Sequence, residues 1–352
     1  MRWSSQAIST EDGTALPGLG RLAGLVRSVR TPEFAGVTFH EVQAKTALNR
    51  VAGHSAMPFP WSINPYRGCT HGCVYCFARG THSYLDFDTG RDFDTQIVVK
   101  INAVEVLRKE LARPSWKHEH VAMGTNTDPY QRAEGRYRLM PGIIGTLTDS
   151  GTPFSILTKG TVLVRDIPLL AAAQRTVPVG LGVSLALLDP ELQAVLEPGT
   201  PTPRARLDLV RRITDAGLPC GVLVAPLLPY LTDRTEHLRQ LVAELTQAGA
   251  TGVSAMALHL RPGAREWFFR WLARYRPELV PRYERLYFRG ATASSDYRRN
   301  LAERFGAVRA EFGLSASDSP ISRSLPGNAT ESFRDGSVAT DRPAPAEQPG
   351  LF

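Results

Sequence analysis

Between residues 58 and 260, short apolar runs alternate with longer stretches whose apolar positions recur at helical spacing. The runs at 61–64, 119–124, 153–158, 179–185, 220–225 and 252–258 are mostly rich in Val, Ile or Leu. Most show little alternation, as expected of strands buried on both faces. Residues 233–248 read as a helix. Asp233 and Glu236 form a capping-box pattern, Leu238, Leu241, Val242 and Leu245 fall at i, i+3, i+4 and i+7, and Gly249 closes the stretch. Residues 203–216 repeat the scheme with Leu207, Val210 and Ile213 before Gly217, and Thr161 is placed to cap 162–174. Such repeated strand–helix units predict an α/β fold with a parallel sheet and helical crossovers. The longer segment 77–118 predicts an extra strand around Ile97, Val98 and Val99, and a helix from Ala103 to Ala112.

Outside this core the pattern weakens. Leu22, Leu25 and Val26 have the spacing of a short amphipathic helix, and 38–54 reads as a connector. Residues 261–310 hold twelve arginines against five acids, a net +7, with Trp267, Phe268, Phe269, Trp271, Tyr275, Tyr283, Tyr287 and Phe288 interleaved. Arginines with aromatics can track a phosphate backbone and stack bases. Amphipathic helices with aromatics inside and arginines in solvent give the same letters. From Gly313 the chain is rich in Ser, Pro, Gly and Asp, a composition that cannot offset its ordering entropy. The expected organisation is therefore an N-terminal extension (1–54), a core (55–260), an Arg- and aromatic-rich helical extension (261–312) and a disordered tail (313–352).

Composition adds limits. The chain has 352 residues, 43% of them hydrophobic, enough for one large α/β domain with appendages. No apolar run approaches the roughly 18 residues of a membrane span, and the N-terminus lacks the apolar core of a signal peptide. A cytoplasmic protein without a membrane partner is expected. The net charge is +7, which admits a nucleic-acid partner. Only five of the 41 basic residues are lysines, however, and an arginine bias of that kind equally reflects a GC-rich genome.

The chemistry concentrates in residues 64–79, NPYRGCTHGCVYCFAR. Three of the four cysteines, Cys69, Cys73 and Cys76, stand there as C-x3-C-x2-C, directly after the first strand run. Thiolates this close suit a shared inorganic centre better than disulfides. Three of them can hold three irons of a [4Fe–4S] cluster and leave the fourth open. A Cys3His zinc site using His71 or His82 is the alternative. Arg67 and Arg79 flank the motif, available to offset cluster charge or to face solvent. Cys220 lies in an apolar run and reads as a buried core thiol.

The cysteine spacing and Tyr75 before the third cysteine resemble the radical S-adenosylmethionine (SAM) superfamily. Asn64-Pro65-Tyr66-Arg67-Gly68, Phe77-Ala78-Arg79 and Thr81-His82 resemble its branch related to spore photoproduct lyase, and within that an uncharacterised actinobacterial group. The resemblance implies a partial (β/α)6 barrel, a [4Fe–4S] cluster, SAM, and an external one-electron reductant of flavodoxin or ferredoxin type. It implies reductive cleavage of SAM to a 5′-deoxyadenosyl radical that takes hydrogen from a substrate, with nucleic acid one candidate. It also implies SAM contacts at the C-terminal ends of the strands: Gly124, Thr125, Asn126 and Asp128 after the second run, Lys159 after the third and Ser184 in the fourth. Glu197 and Pro198, with Arg204 and Arg206, read as an ion pair shaping a turn or as a contact with the SAM carboxylate, and Leu227 and Leu228 as candidates to pack on adenine. One departure matters. The photoproduct lyases use a further cysteine downstream of the cluster motif as hydrogen-atom donor, and residues 118–126 here contain none. That counts against photoproduct repair. A rival reading of another class is a non-catalytic nucleic-acid-binding protein with a structural metal centre.

Overall fold

The computed structural model describes residues 7–8, 22–51 and 59–314. Its strands are β1 (Ala7–Ile8), β2 (Leu25–Val29), β3 (Thr38–Val42), β4 (Leu48–Arg50), β5 (Trp61–Ile63), β6 (Tyr66–Arg67), β7 (Gln96–Lys100), β8 (Val121–Met123), β9 (Phe154–Thr158), β10 (Val179–Ser184), β11 (Cys220–Leu227) and β12 (Gly252–Ala257). Its α-helices are α1 (Arg91–Thr95), α2 (Ala103–Leu111), α3 (Arg132–Tyr137), α4 (Leu139–Asp149), α5 (Ile167–Ala173), α6 (Pro190–Leu196), α7 (Pro203–Asp215), α8 (Thr235–Gln247), α9 (Ala264–Tyr275), α10 (Val280–Leu286) and α11 (Ser295–Glu311).

Each of the six apolar runs is a strand. β5, β8, β9, β10, β11 and β12 pair in parallel in that order, and β4 lies antiparallel on the β5 edge. These are six strand–helix units of one parallel sheet, open between β12 and β4 among the described residues. The register sorts the side chains by face. One face carries Val121, Phe154, Ile156, Leu181, Val183, Val222 and Val253, all buried in one cluster with Ile144, Leu170, Val210 and Leu241 of the helices. The other face carries rows of small residues: Ser62, Ala122, Ser155 and Gly180, then Leu157, Gly182, Gly221 and Gly252, then Ser184, Leu223 and Ser254. The strands therefore alternate large and small more than a doubly buried run would. The small-residue face opens toward its C-terminal end, where Leu223, Ala225 and Ser254 are half-buried and Met256 is exposed.

The periodic helices form where expected. Thr202 caps α7, its hydroxyl accepting from the Ala205 N–H, and Gly217 and Gly249 take positive φ just beyond α7 and α8. α8 begins after Arg234 rather than Asp233. The Asp233 carboxylate instead accepts from the Tyr230 N–H and the Tyr297 hydroxyl, so a longer-range tie replaces the expected cap. Thr161 opens a 3-10 turn over Thr161–Asp166 that leads into α5.

Two expectations outside the parallel sheet are corrected. Residues 22–26 are not helical. Gly24 turns at φ +74°, and Leu25–Val29 enters a second sheet of order β1-β2-β3-β7-β6. Most of 38–51 is strand rather than connector. β3 is buried along its whole length and pairs with both β2 and β7, with Arg27–Glu41 and Ser28–His40 side-chain bonds to β2 and His40–Gln96 to β7. The extra strand expected at 97–99 is β7, but it joins this second sheet. The remaining connector residues, 52–58, and the expected tail from 315 onward lie outside the described residues.

Candidate active site

The cysteine loop leaves β5 and β6 at the C-terminal end of the parallel sheet. Gly68 starts it at φ +77°, where a Cβ would lie 2.9 Å from the carbonyls of Phe93 and Gln96. The Cys69 N–H donates to the Phe93 carbonyl (2.9 Å), and the Gly72 and Cys76 N–H groups donate back to Cys69 and Cys73. All three cysteines are free thiols. Cys69 and Cys73 are buried and Cys76 half-buried. Burial holds the Cys73 thiol well above its ordinary pKa and pushes Cys76 up to about 11.

Three neighbours brace this loop. From the segment after β8, the Gln131 side chain accepts from the Thr70 N–H (2.9 Å) and donates to the Gly68 carbonyl (3.1 Å), on both sides of Cys69. From the turn after α6, the Gly199 N–H donates to the His71 carbonyl (2.9 Å). A Cβ on Gly199 would stand 2.0 Å from the Thr70 carbonyl oxygen, so only glycine allows this approach. Third, the Arg79 guanidinium is fully buried. It donates twice to the Cys73 carbonyl (3.1 and 2.9 Å), to the Gly90 carbonyl (2.6 Å) and to Asp94 (2.9 Å), between the rings of Phe93 and Trp267. Arg79 is thus not solvated; Arg67 is half-buried.

Beside the loop, the strand ends form one polar network. Lys159 Nζ donates to Ser184 Oγ (2.6 Å) and stands 3.8 Å from Glu197 Oε1 and 6.0 Å from the Tyr75 ring centroid. Arg206 donates to Glu197 Oε2 (2.6 Å) and to the Ser184 carbonyl (3.1 Å), with both side chains wholly buried. The Tyr75 hydroxyl donates to the other Glu197 oxygen. Desolvation opposes the charge on Glu197, but Arg206 and Lys159 outweigh it and hold the carboxyl down at about 2. Asp128 accepts from Thr158 Oγ1 (2.5 Å), the Lys159 N–H (2.7 Å) and the Tyr130 N–H (2.9 Å), and lies 3.3 Å from His71 Nδ1. His71 is fully buried. Desolvation there is outweighed by Cys69 and Asp128, which push its pKa up to about 10.

Most of the residues singled out in the sequence are therefore brought together. Lys159 and Ser184 are in direct contact, and Asp128 fixes the backbone of Lys159 and faces the cysteine loop through His71. Thr125 and Asn126 are half-buried, and their side chains make no hydrogen bond among the described residues. Gly124 has a structural reason to be glycine: at φ +87° a Cβ would lie 1.9 Å from the Leu157 carbonyl oxygen. Leu227 is wholly buried in the main core, and Leu228 is wholly buried in a cluster with Cys73, Val74 and Tyr75 of the cysteine loop. Cys220 begins β11 on the helix-covered face, where burial pushes its thiol up to about 12. Sequence reasoning did not place Gln131 on the cysteine loop, nor Tyr75 on Glu197. Their signals were the polar string after β8 and the Glu-Pro turn after α6, which carry no partner information.

Residues 63–242, more than half of the chain, match the profile of the Radical SAM superfamily. The chain belongs to the radical SAM superfamily. It is an enzyme of that class, and its membership implies SAM and a [4Fe–4S] cluster as cofactors. An uncharacterised protein of Mycobacterium tuberculosis is 59% identical over 324 residues, covering 91% of this chain and 95% of its own. An uncharacterised protein of Acidianus two-tailed virus is 29% identical over 208 residues, covering 57% and 68%. Among solved structures, spore photoproduct lyase complexed with dinucleoside spore photoproduct is similar in fold at TM-score 0.59 and 15% identity, over 78% of this chain and 79% of that one. A double mutant of that lyase with bound AdoMet and the same dinucleoside aligns at TM-score 0.56 and 16% identity, covering 73% and 75%.

The residues present fit those cofactors. Three free thiols in one braced loop are the donor set a cluster with an open iron requires. The half-buried Thr125 and Asn126 side chains, without hydrogen bonds among the described residues, offer polar groups at the neighbouring strand end. Among the described residues no three Cys, His, Asp or Glu side chains are grouped closely enough to hold a single metal ion. Thiolates that each hold a different iron stand farther apart than three sharing one ion. Among the described residues no helix is long and apolar enough to cross a membrane.

Proposed function

We propose that the chain uses Cys69, Cys73 and Cys76 to hold a [4Fe–4S] cluster and binds SAM at the adjoining strand ends. With an electron from an external flavodoxin- or ferredoxin-type donor, these cofactors supply methionine and a 5′-deoxyadenosyl radical, which takes a hydrogen atom from the substrate. The observation that carries this reading is the position of the C-x3-C-x2-C loop, at the C-terminal end of the first of six parallel strands and against the Lys159–Ser184–Glu197 network. Lys159 and Ser184 suit the SAM carboxylate, as a compact ammonium and a hydroxyl. The Gly124 carbonyl, Thr125 and Asn126 suit its ammonium. Asp128, whose oxygens already serve Thr158, Lys159, Tyr130 and His71, orients this site. Glu197, paired with Arg206, positions Tyr75 and Lys159. The buried cysteine loop shields one side of this site from water.

The substrate class we favour is nucleic acid or one of its components. The structural neighbours named above bind a dinucleoside photoproduct, and the helical extension borders the cysteine loop in one hydrophobic cluster. Photoproduct repair itself is disfavoured: Cys220, the one cysteine outside the cluster motif, is buried on the face away from the site. The direct test is anaerobic reconstitution with iron and sulfide, then SAM and dithionite. The reading requires 5′-deoxyadenosine from the wild type and none from Cys73→Ala. Purification with one zinc per chain and no SAM cleavage would instead support a structural metal centre.

A further inference from the structure

A cavity of about 310 Å³ opens at the C-terminal end of β11, lined by Tyr230, Arg282, Arg285, Leu286 and Ser294. Of its lining residues, Leu286 packs against the buried cluster that holds part of the cysteine loop. Leu228 and Tyr283 share a buried cluster with Cys73, Val74 and Tyr75, and the Tyr283 hydroxyl donates to the Pro229 carbonyl beside Tyr230 (2.7 Å). Tyr230 is unusual in its backbone. It sits at φ +65°, a left-handed conformation that is unfavourable for a bulky residue and gathers at ligand sites. Asp233 holds it there by accepting the Tyr230 N–H (2.9 Å), and its ring is 42% exposed.

The charge in this cavity is uncompensated. Arg282 lies over the Tyr230 ring at 5.1 Å, and neither Arg282 nor Arg285 has an acidic partner among the described residues. Several arginines elsewhere do meet carboxylates: Arg165 with Glu134 and Asp166, Arg206 with Glu197, Arg239 with Glu311. The acid nearest in sequence to Ser294, Asp296, is turned to Arg299 (2.5 Å). A second cavity of similar size, about 320 Å³, has Glu244 in its lining beside Arg204 and Arg211, whereas the first has no acid in its lining. The first cavity adds the Ser294 hydroxyl at the start of the 17-residue helix α11, whose N-terminal dipole favours an anion. Two forked guanidinium groups beside two hydroxyls form a donor set suited to phosphate oxygens.

We propose that Arg282, Arg285, Tyr230 and Ser294 form a phosphate-binding subsite at the rim of the active site, which anchors a nucleotide phosphate of the substrate. This rests on the nucleic-acid reading of the substrate and sharpens it to one phosphate position. Most of the aromatics in 261–310 are core, so this cavity, rather than the whole segment, carries the contact.

The test is equilibrium binding to the full chain, purified anaerobically, without SAM or reductant. The probes are adenosine, adenosine 5′-monophosphate and a short single-stranded oligonucleotide. The expected result is tighter binding of the monophosphate than of adenosine, and at least ten-fold weaker binding of monophosphate and oligonucleotide to Arg282→Gln/Arg285→Gln. The salt slope should fall by about one to two in that variant. Arg274→Gln, outside the cavity, should change affinity less than two-fold. An oligonucleotide bound more tightly than the monophosphate marks a strand as the source of the phosphate, and equal affinities mark a free nucleotide. Failure of the wild type to bind either phosphate probe, or unchanged affinity in the double variant, overturns the subsite. Binding is read without turnover, so a failure of SAM cleavage would sink the radical reading separately.

Discussion

Arg79 and Arg206 have no exposed surface, whereas Arg270, Arg274, Arg282 and Arg289 stand in solvent. At the cysteine loop and the strand ends beside it, the Arg79 and Arg206 guanidinium groups are occupied by carbonyls and carboxylates, and Phe93 and Trp267 wall Arg79. In residues 261–310 the relation reverses. Phe268, Trp271, Tyr283 and Tyr287 are the buried part, with the Tyr287 hydroxyl donating to the Leu258 carbonyl, and the arginines lie outside. The same letters thus build a rigid site in one region and an ordinary amphipathic packing surface in the other. Charge density over the segment does not by itself locate function here; buried ion pairs mark the cysteine-loop site, and a cavity lined by two arginines marks the proposed subsite.

The largest test of this contrast is Arg206→Met. It removes the closer of the two cations facing the wholly buried Glu197 and leaves only Lys159, 3.8 Å away, which should cost about 3 kcal/mol in denaturant unfolding. A loss below about 1 kcal/mol would mean that the pair behaves like a surface one. Next is Gly124→Ala. Its Cβ would collide with the Leu157 carbonyl at a positive φ, so we expect about 1–3 kcal/mol of destabilisation. A neutral outcome would free Gly124 from its structural role. A third test uses acid. Glu197 stays charged in the folded state down to about pH 2, against 4.5 for the ordinary group. Its contribution is complete above pH 4.5 and fades as pH falls toward 2. Glu197→Gln should flatten the stability profile of the cluster-free chain in that window. The smallest effect is expected from Arg274→Gln in the extension, within about 0.5 kcal/mol of wild type.

The parallel core was legible because its signals are local. Six apolar runs, the periodic positions of α7 and α8 and the cysteine spacing each lie within a few residues. What was not legible depends on distance along the chain. Leu22, Leu25 and Val26 match a helical period by coincidence, and β2 exists because β3 pairs with it and β7 pairs with β3. The large–small alternation of β9 to β12 is masked by glycines that read as turn signals but sit in the small-residue rows. At the site, Lys159 and Ser184 were identifiable as strand ends. The contact of Tyr75 with Glu197, 122 residues away, and the grip of Gln131 on Gly68 and Thr70 needed the fold. The aromatic–arginine segment was ambiguous for the same reason, since only packing separates a stacking surface from a core.

The central claim is that the braced cysteine loop holds a redox-active cluster that SAM contacts directly. EPR spectroscopy of the dithionite-reduced, reconstituted chain, with and without SAM, tests it most directly. The account predicts a reduced [4Fe–4S] signal that changes on adding SAM and is absent in Cys73→Ala. A chain that binds zinc and gives no iron–sulfur signal, or a signal unaffected by SAM, would contradict it.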